Sequence, residues 1–191
     1  MRKEFFDASA HNWSAPDEVK SEIIKQKIIP ALELKKGESL LDACGGPGTL
    51  MPFLKEYGVK ITEFDYSEKM TAKAKADFEG QAEFVTGNIE NISFESESFN
   101  KIICHNSLPH IVDKQKAFKE CFRVLKSGGI FVVSHSGSRE EIDQHHKKCH
   151  EAVREDMMPS NKDITEFAAY AGFESVEIQD EATFFVIVCK K

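Results

Sequence analysis

Two stretches of this chain carry residues whose types and spacing suit chemistry. The first is Leu40-Leu41-Asp42-Ala43-Cys44-Gly45-Gly46-Pro47-Gly48-Thr49-Leu50. An apolar run enters glycines and then a helix-like segment. Glycine lets the backbone turn sharply and lie close to a ligand, and the helix start that follows offers free N–H groups. A tight turn without a ligand would look the same, so later residues carry the argument. Asp65 ends a second apolar run about 20 residues further on, where a carboxylate accepts ribose hydroxyls. It could instead cap the next helix, although Ser67 is better placed for that. Gly87-Asn88-Ile89 ends a third run. Asn88 reads either as an acceptor for an adenine amine, with Ile89 over the ring, or as a turn residue.

The second stretch holds four of the seven histidines within sixteen residues: His135, His145, His146 and His150, with Cys149 among them. A helix is expected over 140–153, started by a Ser138/Glu141 capping box. At about 100° per residue, Ile142, Cys149 and Val153 share a stripe flanked by His145 and His146. His145/Cys149 and His146/His150 are i, i+4 pairs, a spacing that chelates metal. Three readings stay open: a hydrogen-bonding pocket wall, a general base (His135 or His146), or a transition-metal site drawn from His135, His145, His146, Cys149 and His150. His105 and His110 lie where they would join the same pocket, although His110 reads equally as a helix-start residue with no role.

These residues need a scaffold, and the chain alternates between two periods. Short apolar runs read as strands at 39–43, 60–65, 82–86, 101–105, 129–134, 175–180 and 183–189. Helix-like stretches fall at 17–32, 49–57, 67–78, 114–125 and 161–171, with a short turn at 89–92. Asp17 is placed to cap the first of these. Leu125-Lys126-Ser127-Gly128-Gly129 reads as a helix end with a glycine C-cap, and the last two runs read as a hairpin. The expected fold is α/β and Rossmann-like: a mostly parallel seven-stranded sheet with helices on both faces and one antiparallel strand. One domain over 1–191 is expected, with a lid over 1–35 and a helical insertion over 136–160 lining an acceptor site.

Composition narrows the function. The chain has 191 residues, 41% hydrophobic and 30% charged, with a net charge of −7. That describes a globular protein rather than a disordered one. No basic stripe suits a nucleic-acid backbone, and no apolar run suits a bilayer. Five cysteines, without a C-x-x-C pair or an export signal, suit reduced thiols in the cytoplasm. A small-molecule partner is therefore expected. A nicotinamide fingerprint needs a third glycine, and Met51 stands near its place.

With these motifs in order, the sequence resembles the class I S-adenosylmethionine-dependent methyltransferases, and more narrowly their small-molecule branch of quinone and arsenite methylases. Asp42, Gly46 and Gly48 match the family's acidic-x-Gly-x-Gly-x-Gly, with Cys44 replacing the first glycine. Asp65-Tyr66-Ser67-Glu68-Lys69-Met70 matches its second-strand pattern. Asn88 stands where the family usually has aspartate. Phe99–Asn106 occupies the fourth strand, and Arg123–Gly129 resembles the approach to the fifth. The resemblance implies S-adenosylmethionine contacts from Asp42, Cys44, Gly46, Gly48, Asp65, Tyr66, Asn88, Ile89 and His105. It implies methyl transfer to a small acceptor; a non-catalytic binder of the cofactor or a metal is the alternative. It also implies an aromatic lid at residues 5–13, where Trp13 reads equally as lid or core.

Overall fold

A computed structural model describes residues 2–191. Seven strands form one sheet: β1 (Ser39–Ala43), β2 (Lys60–Asp65), β3 (Glu83–Thr86), β4 (Phe99–His105), β5 (Leu125–His135), β6 (Ser175–Asp180) and β7 (Phe185–Lys190). Their order is β3-β2-β1-β4-β5-β7-β6. Pairs among β1 to β5 are parallel, and β7 runs antiparallel to both β5 and β6. This is the expected Rossmann-like sheet with one reversed strand. The order turns back at β1/β4, so the carboxyl ends of those strands border a crevice suited to a ligand.

Alternating side chains divide the core into two layers. One holds Leu41, Phe64, Ile102, Phe131 and Ile187, covered by α5 (Lys114–Val124) and α7 (Asn161–Ala171). The other holds Leu40, Ile61, Ile103, Val132 and Val186, covered by Ile24, Ile28, Leu32, Leu50 and Leu54. Each such side chain, once buried, contributes about 1.5–3 kcal/mol, so both sheet faces anchor the strand ends that carry the loops.

Several helices differ from expectation. Asp17 caps α2 (Glu18–Ile23) by accepting the Lys20 N–H at 2.9 Å. The helix then changes pitch twice, through a π turn at Ile24–Ile28 and a 3₁₀ turn at Ile29–Leu32. Pro30 lacks the N–H that regular α pitch would use there. After the glycine loop, α3 (Met51–Leu54) is one turn, followed by a 3₁₀ turn at Lys55–Tyr57. Ser67 caps α4 (Glu68–Asp77). The glycine C-cap is corrected: α5 ends at Val124 and β5 begins at once. Gly128 instead sits at φ +72° within a bulge, where pairing jumps from Phe99/Leu125 to Lys101/Ile130. The helix expected over 140–153 is also shorter. α6 (Arg139–Lys147) has its Ser138/Glu141 capping box, but Cys149, His150 and Val153 lie beyond its end, so the stripe that Ile142, Cys149 and Val153 were to share does not form.

The amino-terminal helix α1 (Arg2–Ser9) has no buried residue. It is tied down by polar bonds: Arg2 to Asp156, Lys3 to Glu68 at 3.2 Å, and the Ser67 hydroxyl donating to Asp7 at 2.5 Å.

Candidate active site

The carboxyl ends of β1, β2 and β4 open into a cavity of about 670 Å³. The β1 side supplies Asp42, Cys44, Gly45, Gly46 and Thr49, and the β2 side supplies Asp65, Tyr66 and Met70. Asn88, Ile89 and Glu90 follow β3, and His105, Asn106, Ser107 and His110 end or follow β4. Arg2, Phe6 and Trp13 come from the amino terminus, and Glu151, Ala152, Glu155 and Asp156 from the segment after α6.

The glycine turn is held from below. The Cys44 N–H donates to the Phe64 carbonyl at 2.7 Å. Cys44 sits at φ +64°, a left-handed conformation that glycine adopts more readily. Its thiol is pushed well above its usual range by the neighbouring Cys104 thiol and by burial, which excludes a thiolate nucleophile. Gly46, at φ +61°, has open space where a Cβ would stand. Gly48 does not line the main cavity: a Cβ there would meet the Phe78 ring at 2.8 Å, so this glycine serves packing. Gly45 lines the cavity instead, although the resemblance did not single it out.

Asp65 ties the second strand to this turn. Its carboxylate accepts the Gly46 N–H at 2.9 Å and the Ser67 N–H at 2.8 Å. Burial raises its pKa, opposed by those two bonds. Each carboxylate oxygen has a second lone pair for a ligand hydroxyl. Asn88 is exposed, and its side-chain oxygen accepts the Glu90 N–H at 2.9 Å, so its turn role is real; Ile89 beside it is buried. Tyr66 is half exposed at the cavity edge, and Trp13 lines the cavity rather than the core.

Two buried carboxyls stand out, Asp42 in the cavity lining and Glu63 against Gly45. None of the oxygens of Asp42 and Glu63 has a hydrogen-bond partner among the described residues. Burial pushes Asp42 up to about 7 and Glu63 well above its usual range. An orphaned acid beside a cavity fits a ligand that brings N–H donors or positive charge. Glu63 was missed in the sequence because it falls mid-strand, where an acid reads as solvent-facing.

The histidines are arranged differently from expectation. His105 lines the cavity. Burial lowers its pKa to about 4, and Nδ1 lies 2.9 Å from the Ser134 hydroxyl. His135 is buried away from the cavity lining, beside Phe185, and burial drives its pKa well down. His146 is also buried outside the lining, with Nδ1 against the Asp156 carbonyl. His145 and His150 are exposed, and His150 stacks on Phe5. Because α6 ends early, His135, His145, His146, Cys149 and His150 do not converge. Among the described residues no group of three or more His, Cys, Asp or Glu is arranged to hold a metal ion.

A second imidazole at the cavity is that of His110. Its Nδ1 lies 2.9 Å from Asp156 Oδ2, and its ring centroid lies 4.8 Å from that of His146. Arg2 holds the same carboxylate. Burial opposes ionisation of Asp156, but the bonds from Arg2 and His110 hold its pKa below the usual carboxylate range. Burial lowers the pKa of His110, against the pull of Asp156, so the ring is neutral near pH 7. Asp156 was missed because 46 residues separate it from His110 and 154 from Arg2.

Comparison with known proteins fits this geometry. Residues 41–133 match the family profile described as a methyltransferase domain. Over that stretch the chain is similar to methyltransferase domains. It is 25% identical over 190 residues to 24-methylenesterol C-methyltransferase 3 of Arabidopsis thaliana, covering 93% of this chain and 53% of that one. It is 30% identical over 120 residues to a ubiquinone/menaquinone biosynthesis C-methyltransferase of Campylobacter jejuni, covering 59% and 51%. This chain spans about half the length of these curated relatives. A SAM-dependent methyltransferase from Aquifex aeolicus shares the fold, with a TM-score of 0.74, 17% identity and coverage of 96% and 97%.

Proposed function

We propose that this chain transfers a methyl group from S-adenosylmethionine to a small protic acceptor, with His110 removing the acceptor's proton. The observation that carries the acceptor half is the His110–Asp156 pair on the wall of the cavity that the glycine turn floors. When bound, the cofactor supplies a methyl on a positively charged sulfur, so the protein need only hold it, orient the acceptor and manage a proton.

The residues divide accordingly. Asp65 and the Gly45–Gly46 backbone are suited to the ribose and the approach to it, Tyr66 and Ile89 to the flat ring, and Asp42 and His105 to the polar amino-acid end. With Nδ1–H donated to Asp156, the His110 Nε2 keeps a lone pair and meets no protein donor among the described residues. A neutral imidazole fixed by a carboxylate is a base suited to pH 7. Phe6 packs edge-on to that ring at 5.1 Å and, with Trp13, limits water. Glu90, Glu151, Glu155 and Asp156 line the cavity, while Arg2 and Lys3 are already paired with acids. The lining favours neutral or cationic acceptors over anionic ones. Free thiols suit a cytoplasmic setting.

The test is a screen of phenols, alcohols and amines with labelled cofactor, following S-adenosylhomocysteine release, in wild type, His110→Ala and Asp156→Asn. Turnover should fall by about 10²-fold or more in His110→Ala, with cofactor affinity nearly unchanged. Equal turnover in the folded variants would remove the base. Tight cofactor binding with no acceptor turned over would return the chain to a non-catalytic binding protein.

A further inference from the structure

In-register pairing places Asp42 of β1 beside Glu63 of β2, with both side chains on one face of the sheet. Asp42 is fully buried and Glu63 is 2% exposed. Their outer register neighbours are apolar, Ile103 on β4 and Phe84 on β3. Among the described residues, the one further charged group bearing on both is a third acid, Asp65; the Cys44 thiol lies next to Asp42, and the neutral His105 lines the same cavity. Among those residues no lysine or arginine bears on either carboxyl. Two adjacent buried carboxyls without a counter-ion do not both ionise. The pair also lies directly under the glycine turn: a Cβ on Gly45 would stand 1.9 Å from Glu63 Oε2 and 3.1 Å from Asp42 Cγ.

We propose that Glu63 is a standing carboxylic acid whose O–H is donated to Asp42, and that Asp42, protonated in the ligand-free protein, gives up its proton when the α-ammonium group of the cofactor docks against it. This rests on the cofactor reading above. In the step, the Asp42 O–H bond breaks, the electron pair stays on oxygen and the proton passes to the solvent buffer. The ammonium keeps its own protons and supplies the missing counter-charge. Glu63 acts through Asp42 as a positioning residue: it keeps the charge on Asp42, which belongs to the cavity lining, rather than on its own oxygens. Burial raises both groups in the direction this needs. Gln at position 63 imitates the protonated acid.

Calorimetric titration with S-adenosylhomocysteine at pH 6, in two buffers of different ionisation enthalpy, reads the proton directly. In wild type the observed enthalpy should vary between buffers as close to one proton released per site. Affinity should rise with pH below neutrality by up to about tenfold per unit. Glu63→Gln should keep both the proton release and the affinity, whereas Asp42→Asn should release none and bind at least tenfold more weakly. Infrared difference spectra of wild type against Glu63→Gln, without ligand, should show a carboxylic-acid C=O band at pH 7.5 that the variant lacks. A buffer-independent enthalpy in wild type overturns the proposal while leaving the cofactor reading intact. So does the absence of that band, which needs no binding. No binding of S-adenosylhomocysteine by any form overturns the cofactor reading and the docking step together.

Discussion

Asp65 shows how a single side chain joins two loops, since it bonds the Gly46 turn and the start of α4 at once. Bonds to a charged group are worth about 1.5–3 kcal/mol each. Asp65→Ala should therefore weaken S-adenosylhomocysteine binding at least tenfold in calorimetry, and unchanged affinity in a folded variant would remove Asp65 from the site. His110 carries a second prediction. Its pKa is depressed by burial, so the proton-accepting form persists below the ordinary imidazole range. The acidic limb of kcat against pH should fall below pH 6.5, and Asp156→Asn should move it. At this scale the sequence reveals what the chain keeps adjacent. Residues 42–48 and 65–67 could be read because each motif is local. His110–Asp156 and Asp42–Glu63 could not, because sheet register and the path after α6 bring them together. The choice of His146 over His110 rested on a helix that stops at Lys147, and that of His135 on its place at the end of the fifth strand, where it is buried beside Phe185.

Among the elements, the glycine turn is the most constrained. Gly46 at φ +61° does not suit a β-branched residue, and the open space where its Cβ would stand is the space the proposed cofactor would take. Gly46→Val should abolish cofactor binding with only a modest drop in melting temperature, measured by calorimetry and thermal denaturation on one preparation. Most strands were legible to within two residues, since buried parallel strands are short apolar runs bounded by turns, but β5 begins at Leu125, ahead of the expected 129. Helix ends were less so. Lys147-Lys148-Cys149 continues an amphipathic pattern, yet the backbone leaves helical geometry there. The following turn carries Asp156 back to His110 and Arg2. Tertiary bonds of that kind override local propensity.

For the molecule as a whole, the buried ionisable groups set stability against pH. His105 is neutral in the fold, at about 4, while the unfolded imidazole takes up a proton below about 6.5. Stability should therefore fall as pH drops from 6.5 toward 4, by about 3 kcal/mol for this group alone. Asp42 and Glu63 act oppositely. Their folded values are raised, so stability is full below the unfolded carboxylate range and is lost as pH rises through the folded values. Glu63→Gln should melt higher than wild type at pH 8, with the difference vanishing near pH 4. At this size 1 kcal/mol corresponds to about 2–4 °C. Parallel melting curves at both pH values would show that the two acids are not burdened by burial.

The helix α1 adds a consequence of another kind. With no buried side chain of its own, it holds the cavity mouth by ring contacts from Phe5 and Phe6 and by ties through Arg2, Lys3 and Asp7, and the ionic part of that grip depends on the Debye length. That length shrinks from about 10 Å at 0.1 M to about 3 Å at 1 M. Partly exposed ion pairs weaken over that range, while the apolar layers beneath the sheet do not. Added salt should thus act on the opening of the mouth rather than on the fold. Dissociation of S-adenosylhomocysteine should quicken between 0.1 and 1 M sodium chloride while the melting temperature holds steady, and Arg2→Ala should bring the fast dissociation down to low salt.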